Sequence, residues 1–123
     1  MAIRSFRDLE VWQRAMDLAS EVYSLSASFP KAEQYGLTSQ IRRSAVSVPS
    51  NIAEGHSRKS TREFLNFLSI ALGSVAEVQT QTELAHRFGY FDNAKNTTIQ
   101  DQTDAVGRLL NALIGALNRK LNS

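Results

Sequence analysis

The 123-residue chain has a net charge of +2 and contains no cysteine, two prolines and six glycines. The missing cysteines exclude disulfides, thiol catalysis and Cys-ligated zinc, while the few prolines and glycines argue against a sandwich or barrel, whose short strands need frequent turns. Because 42% of the residues are hydrophobic, we expect one packed helical domain over residues 1–123.

The N-terminal residues and the apolar stretches bear on localisation. Charged side chains occur where a signal peptide requires an apolar run, at Arg4, Arg7, Asp8 and Glu10. No stretch approaches the ~18 uncharged apolar residues of a membrane span. We therefore expect a cytoplasmic protein that does not contact a membrane.

Apolar residues three and four positions apart predict a first helix over residues 8–29. This spacing places them on one face of an α-helix. Asp8 or a neighbour can cap the start, and Pro30 ends the helix because proline lacks the amide hydrogen and clashes with the preceding turn. The stripe consists of Val11, Ala15, Leu18, Val22, Leu25 and Phe29, and it is widened by Trp12, Met16, Ala19 and Tyr23.

A second stripe predicts a helix over residues 33–56 with a proline inside it. Pro49 implies either a kink or a junction between two helices, because its ring removes one hydrogen bond and clashes with the carbonyl of Ala45. We favour a kink, since the stripe keeps its phase through the proline. Its members are Leu37, Ile41, Ala45, Val48 and Ile52.

Two more stripes predict helices over residues 60–88 and 93–121. Ser60 and Glu63 have the spacing of a capping box, and Gly89 can end the third helix in a left-handed conformation. Short links between long helices favour antiparallel neighbours, so we predict an all-α, up-down-up-down four-helix bundle. The stripes are Phe64, Leu68, Ala71, Val75, Val78, Thr82 and Ala85, then Ile99, Val106, Leu110, Leu113, Leu117 and Leu121.

The third helix carries more apolar residues than one face can hold. Between Phe64 and Leu72, seven of nine residues are apolar, Phe67 and Ile70 among them, and a single stripe is only ~100° wide. Either this helix is the most central one of its bundle, or its extra face meets another copy of the chain.

The second helix has a ridge opposite its core stripe, formed by Arg43, Ser47, Ser50 and Glu54. One interpretation is a solvated face whose serines satisfy carbonyls freed by Pro49. The other is a subunit contact in which Arg43 pairs with Glu54 of another chain, because the two lie about 16 Å apart along one helix.

The sequence contains no complete motif for a catalytic or metal site. Glu83 and His86 form one Glu-x-x-His, but the di-iron site of helical bundles needs two, and Ala53 precedes His56 where a glutamate is required. His86 is better interpreted as a cation favoured by the dipole at a helix C-terminus. Without a thiol, a visible Ser-His-acid set or a phosphate-binding glycine motif, we predict no catalytic residue, metal or cofactor.

Positive charge is concentrated in two segments. Residues 38–62 hold five basic residues against Glu54 alone, and the last nineteen residues hold three basic side chains without an acidic one. In an antiparallel bundle the two segments can merge at one end, where phosphate groups of a nucleic acid would bind. The candidate phosphate contacts are Arg42, Arg58, Lys59, Arg62, Arg119 and Lys120.

Several motifs resemble the four-helix bundle family known as 23S rRNA intervening-sequence proteins. The block Ser47-Val48-Pro49-Ser50-Asn51-Ile52-Ala53-Glu54-Gly55 is the most specific, and the resemblance runs from about Ser5 to the end. Other matching segments are Phe6-Arg7-Asp8-Leu9-Glu10-Val11-Trp12-Gln13, Phe29-Pro30, Tyr35-Gly36-Leu37, Gln40-Ile41-Arg42-Arg43-Ser44-Ala45 and Ile70-Ala71-x-Gly73-Ser74-x-x-Glu77.

This family is similar in fold to the accessory protein of diversity-generating retroelements, a basic barrel of five bundles that binds reverse transcriptase and nucleic acid. The resemblance therefore implies a non-enzymatic homopentamer. It also implies an RNA connection, since some members are encoded inside inserts of bacterial 23S rRNA genes. The matched motif positions are Arg42, Arg43, Pro49, Asn51, Glu54 and Glu77.

Two functions remain open at this point. The chain is either an oligomeric module that binds nucleic acid, with RNA favoured, or a protein-interaction scaffold or accessory subunit without direct nucleic-acid contact. In both cases a second set of residues is expected to be structural or to lie at a subunit interface. This set is Arg43, Ser47, Ser50, Asn51, Glu54, Phe67, Ile70 and Glu77.

Overall fold

Four long α-helices account for most of the chain in the computed structural model, which describes residues 3–123. Short 3-10 helices precede two of them, at Phe6–Asp8 and Lys31–Glu33, and the described residues form no strand. The predicted all-α four-helix bundle is confirmed. Its helices are α1 (Glu10–Ser26), α2 (Leu37–His56), α3 (Thr61–Arg87) and α4 (Asn93–Leu121).

The helices pack in chain order, and α4 closes the bundle against α1. Between α3 and α4, the Gln79 amide donates to Thr103 Oγ1 (3.2 Å) and the Gln100 amide donates to Thr82 Oγ1 (2.9 Å). As residue numbers rise along α3, the numbers of the residues opposite them on α4 therefore fall. The C-terminal turns of α4 thus lie beside the N-terminal turns of α3.

The apolar stripes form the core. Every residue of the α1 and α2 stripes except Leu37 is buried, as are Leu68, Ala71, Val75, Val78 and Ala85 of α3. In α4 the last buried residue is Leu110. The later members of the stripe, Leu113, Leu117 and Leu121, are only half-buried. The last turns of α4 are therefore packed less completely than its centre.

The first two helices start later than the periodicity predicts, and α1 ends at Ser26 instead of residue 29, so its end comes before Pro30. Asp8 caps the first 3-10 helix instead of α1, because its carboxylate accepts the amide of Ser5 (3.2 Å). Before α2, Glu33 ends the second 3-10 helix, and its carboxylate accepts the amide of Leu37 (3.3 Å). A 3-10 helix thus precedes each of these starts, which the apolar spacing does not reveal.

Helix α2 is continuous through Pro49, so two helices do not meet there. The predicted kink remains a prediction. Pro49 has no amide hydrogen to donate to the carbonyl of Ala45. The Ser47 hydroxyl does not replace that donor, because it binds other side chains. This hydroxyl lies 2.8 Å from Ser74 Oγ on α3 and accepts from the Asn51 amide (2.9 Å). Ser47 therefore joins α2 to α3.

The predicted ends of α3 agree with the structure. The Ser60 hydroxyl accepts the amide of Glu63 (3.1 Å), which is the first half of the capping box. After α3, Gly89 has a φ of +81°, the left-handed conformation expected of it.

In the described part of the chain, no helix combines the length and the hydropathy that a membrane span requires.

Candidate nucleic-acid interface

Five of the six candidate phosphate contacts lie at one end of the bundle, which we call the basic end. A groove of about 370 Å³ runs between the first turns of α3 and the last turns of α4, lined by Arg62, Asn66, Asn118 and Leu121 among others. The α2–α3 connection and the last turn of α4 flank this groove. The basic end comprises Arg58, Lys59, Arg62, Arg119 and Lys120, all of them exposed.

Little in the chain neutralises these five charges. Arg58 lies 3.2 Å from the carboxylate of Glu54 and stacks over the Phe67 ring at 4.9 Å. The other four basic side chains make no ion pair within the described residues. The N-terminus of α3 adds free amides and the positive end of its dipole, so the basic end suits anionic oxygens.

Arg42 does not join the basic end. Its Nε donates to Ser26 Oγ (2.8 Å), its Nη2 donates to the carbonyl of Tyr23 (3.4 Å), and its guanidinium lies 4.7 Å from the centre of the Tyr23 ring. These contacts bind it to the C-terminal end of α1, where the carbonyl of Tyr23 also accepts the amide of Ala27 (3.1 Å). Arg42 also precedes His56, the last residue of α2, by about 21 Å of helix. The structure thus separates it from the group in which the sequence placed it.

Two further arginines lie near the basic end, outside the two segments in which positive charge is concentrated along the sequence. Arg4 and Arg7 are exposed beside the first 3-10 helix, which packs on both α1 and α2. Phe6 anchors this helix, because its ring lies 5.2 Å from that of Trp12 at the start of α1. In an antiparallel bundle α1 starts where α2 ends, so the topology predicted from sequence contained this signal.

The candidate interface or structural residues divide into two groups. Ser47 and Asn51 are half-buried and hydrogen-bonded at the α2–α3 contact, and Phe67 is half-buried beneath Arg58. The others are exposed: Arg43, Ser50, Glu54, Ile70 and Glu77. The ridge of α2 is therefore not one uniform surface. The predicted pairing of Arg43 with Glu54 of another chain remains a prediction, while Glu54 binds Arg58 within the chain.

An apolar groove lies between α1 and α2, where the periodicity predicts buried core. Met16 and Tyr23 were assigned to a widened core stripe, yet they are 45% and 46% exposed. With Val46, which is 41% exposed, they border a groove of about 510 Å³. Periodicity places residues on a face but does not show whether a neighbouring helix covers them. We call this surface the α1–α2 groove; it is lined by Trp12, Met16, Ala19, Ser20, Tyr23, Val46, Pro49, Ser50 and Ala53.

His86 lies in the last turn of α3, as the sequence predicts. Its Nε2 is 2.7 Å from Asn93 Oδ1 at the start of α4, and its ring lies 5.7 Å from that of Phe91. These contacts join the two helices at the α3–α4 turn.

Among residues 3–123, no group of three or more histidine or acidic side chains is placed to hold a metal ion.

Comparisons with known proteins agree with this architecture. Residues 7–112 match the family model described as 23S rRNA-intervening sequence protein. The chain is also similar to a solved structure, that of a protein with unknown function from the S23 ribosomal protein family of Bacteroides thetaiotaomicron. The two are 26% identical with a TM-score of 0.79, and the match covers 85% of this chain and 97% of the other. No curated protein matches the chain.

Proposed function

Because the chain belongs to the 23S rRNA-intervening sequence protein family, we propose that it is a non-catalytic, self-assembling bundle that binds structured RNA. One observation carries this proposal. Residues from the α2–α3 connection and from the end of α4, about sixty positions apart in sequence, contribute five exposed cations to the basic end. Such a cluster on the N-terminus of a helix favours phosphate oxygens over other ligands.

Self-assembly would raise the affinity of the basic end for RNA. The net charge of one chain is only +2, and a single basic end contacts few phosphates. An assembly of several copies repeats the basic end, so more phosphates are neutralised by one particle. The resemblance in fold to the accessory protein of diversity-generating retroelements, a barrel of five bundles, supports five copies.

The proposal predicts binding that weakens steeply with salt. If four phosphates are neutralised per site, the slope of log affinity against log salt is about −3, so a fourfold rise in salt weakens binding about 60-fold. Fluorescence anisotropy with a labelled, structured RNA at two salt concentrations measures this change. Absence of binding even at low salt would exclude the RNA function.

A pair of double variants tests the location of the site. Replacing Lys59 and Arg62 with alanine removes two cations from the basic end, and we expect about a tenfold loss of RNA affinity and a shallower salt slope. The control replaces Lys31 and Lys95, two exposed lysines at the other end of the bundle, and makes the same change in net charge. Equal losses from both double variants would contradict binding at the basic end.

The α1–α2 groove favours a second candidate, a protein-interaction scaffold or accessory subunit without nucleic-acid contact. Exposed aromatic and methionine side chains beside an apolar groove are typical of protein interfaces. In that case the basic side chains only interact with solvent. The anisotropy titration separates the candidates, because a scaffold of this kind gives no salt-sensitive RNA binding.

A further inference from the structure

The α1–α2 groove is wide, apolar and open to solvent. The half-buried Trp12 and the buried Pro49 form its floor, while Met16, Tyr23 and Val46 stand exposed around it. Exposed apolar patches of this kind mark contact surfaces on monomeric proteins. Arg43 is exposed on α2 one turn before Val46, and within the described residues it forms no ion pair.

A complementary surface lies on α3 of the same chain. Ile70, Glu77 and Leu84 are spaced by seven, so they form one row along the helix. Ile70 and Leu84 are 45% and 41% exposed, which is high for residues of their type in a helix of a bundle. Glu77 between them is exposed, and no ion pair of the described residues includes it.

We propose that the α1–α2 groove of one copy binds the Ile70 row of a second copy of this chain, with Glu77 of the partner subunit paired to Arg43. The charges are opposite, and each lies beside an apolar surface. This pairing replaces the one predicted between Arg43 and Glu54 of another chain, since Glu54 already binds Arg58 within its own chain. The inference rests on the self-assembly in the proposed function, but it does not require RNA binding.

The spacing of the two helices allows an apolar contact one repeat away from the ion pair. On α2, Arg43 and Ser50 are seven residues apart, and on α3 Ile70 and Glu77 are also seven apart, about 10 Å in each case. When the two helices lie antiparallel, the Arg43–Glu77 pair therefore places Ile70 beside Ser50. Pro49 and Val46 flank that position in the groove.

The two surfaces differ, so the contact is heterologous. Each chain offers its groove to one neighbour and its Ile70 row to another, and such contacts propagate into a closed ring or an open filament. A two-fold dimer would instead use the same surface twice. This difference makes the proposal testable by mixing variants.

Two variants each remove one surface. Met16→Glu places a charge in the groove and Ile70→Glu places a charge in the row, and each is expected to weaken assembly at least about 100-fold, because an unpaired charge is costly to bury. Light scattering coupled to size exclusion measures the mass, and circular dichroism verifies that each variant is folded. The control is Ala112→Glu, an equal charge change at an exposed position of α4.

Mixing the two variants gives the decisive result. The intact groove of Ile70→Glu binds the intact row of Met16→Glu, so the mixture forms a one-to-one complex of twice the 13.7 kDa chain mass and nothing larger. A wild-type assembly of only two copies would indicate two-fold pairing and contradict the heterologous contact, and assemblies that tolerate both variants contradict the proposed surfaces. A wild-type chain that is monomeric at high concentration overturns both this inference and the proposed self-assembly, while RNA binding remains separately measurable.

The ion pair has its own test. Arg43→Glu and Glu77→Arg each place like charges together and are expected to weaken assembly about tenfold, whereas the double variant restores the opposite pair and the wild-type mass. Additive losses in the double variant would show that the two side chains do not meet.

Discussion

Gly55 shows how a missing side chain sets the distance between two helices. A Cβ at this buried position would lie 2.7 Å from Phe67 Cβ and 3.0 Å from Phe64 Cδ1, so α3 could not approach α2 as closely. From the sequence, Gly55 merely lies near the end of a helix. Its importance depends on two phenylalanines of the next helix.

We expect Gly55→Ala to lower the free energy of unfolding by about 1–3 kcal/mol, because overpacking forces neighbouring side chains apart. The matched control is Gly73→Ala in α3, where a Cβ meets nothing within 4 Å. This change should raise stability by about 0.5–1 kcal/mol, since alanine favours helix more than glycine does. Urea denaturation at one protein concentration measures both, and equal effects would contradict the close contact.

At the scale of the element, the C-terminal end of α1 depends on a side chain from α2. Arg42 donates to the carbonyl of Tyr23 and to Ser26, which is itself buried. Such capping from another helix is invisible in the periodicity of either one. Arg43, its neighbour in sequence, is exposed, so adjacent arginines serve different purposes.

Arg42→Ala is therefore expected to lower the free energy of unfolding by about 1–2 kcal/mol, because the hydrogen bonds of its guanidinium to Ser26 Oγ and to the carbonyl of Tyr23 are lost. RNA affinity should stay within experimental error of wild type. Lys59→Ala should weaken RNA binding and leave the free energy of unfolding unchanged, since its side chain is exposed and has no ion pair among the described residues. Chemical denaturation and anisotropy on the same two variants check this, and weaker RNA binding by folded Arg42→Ala would return Arg42 to the site.

At the scale of the whole molecule, one hydrogen bond joins the two halves of the chain opposite the basic end. The Tyr90 hydroxyl, after α3, donates to Glu33 Oε2 in the second 3-10 helix (2.8 Å). This hydrogen bond raises the pKa of Tyr90 above its ordinary value of 10.0, and desolvation and the negative charge of Glu33 add to the effect.

A raised pKa in the folded state means that the bond stabilises the protein below about pH 10, and that this contribution is lost as pH rises further. Tyr90→Phe should therefore be less stable than wild type at pH 8, with a difference that shrinks above about pH 10. Urea denaturation across this range measures the effect. Tyr35→Phe is the control, because Tyr35 is 91% exposed, and a constant difference for Tyr90→Phe would contradict the role of the bond.

The sequence by itself determined the four helices, their order and most of the core. Helix formation and burial of one face depend on spacing within a single segment, so Leu18, Ile41 and Leu68 could be assigned before any packing was known. The left-handed turn at Gly89 is equally local. The antiparallel topology also allowed Arg58 and Arg119 to be grouped although they are distant in sequence.

Only the tertiary structure decided how individual polar and apolar residues are used. Whether Arg42 faces phosphate or a carbonyl depends on the position of α1, and whether Met16 is buried depends on the width left between α1 and α2. Neither is encoded in the spacing of one helix. The physical reason is that a side chain's partners come from elements that are distant in the chain and are fixed only when the helices pack.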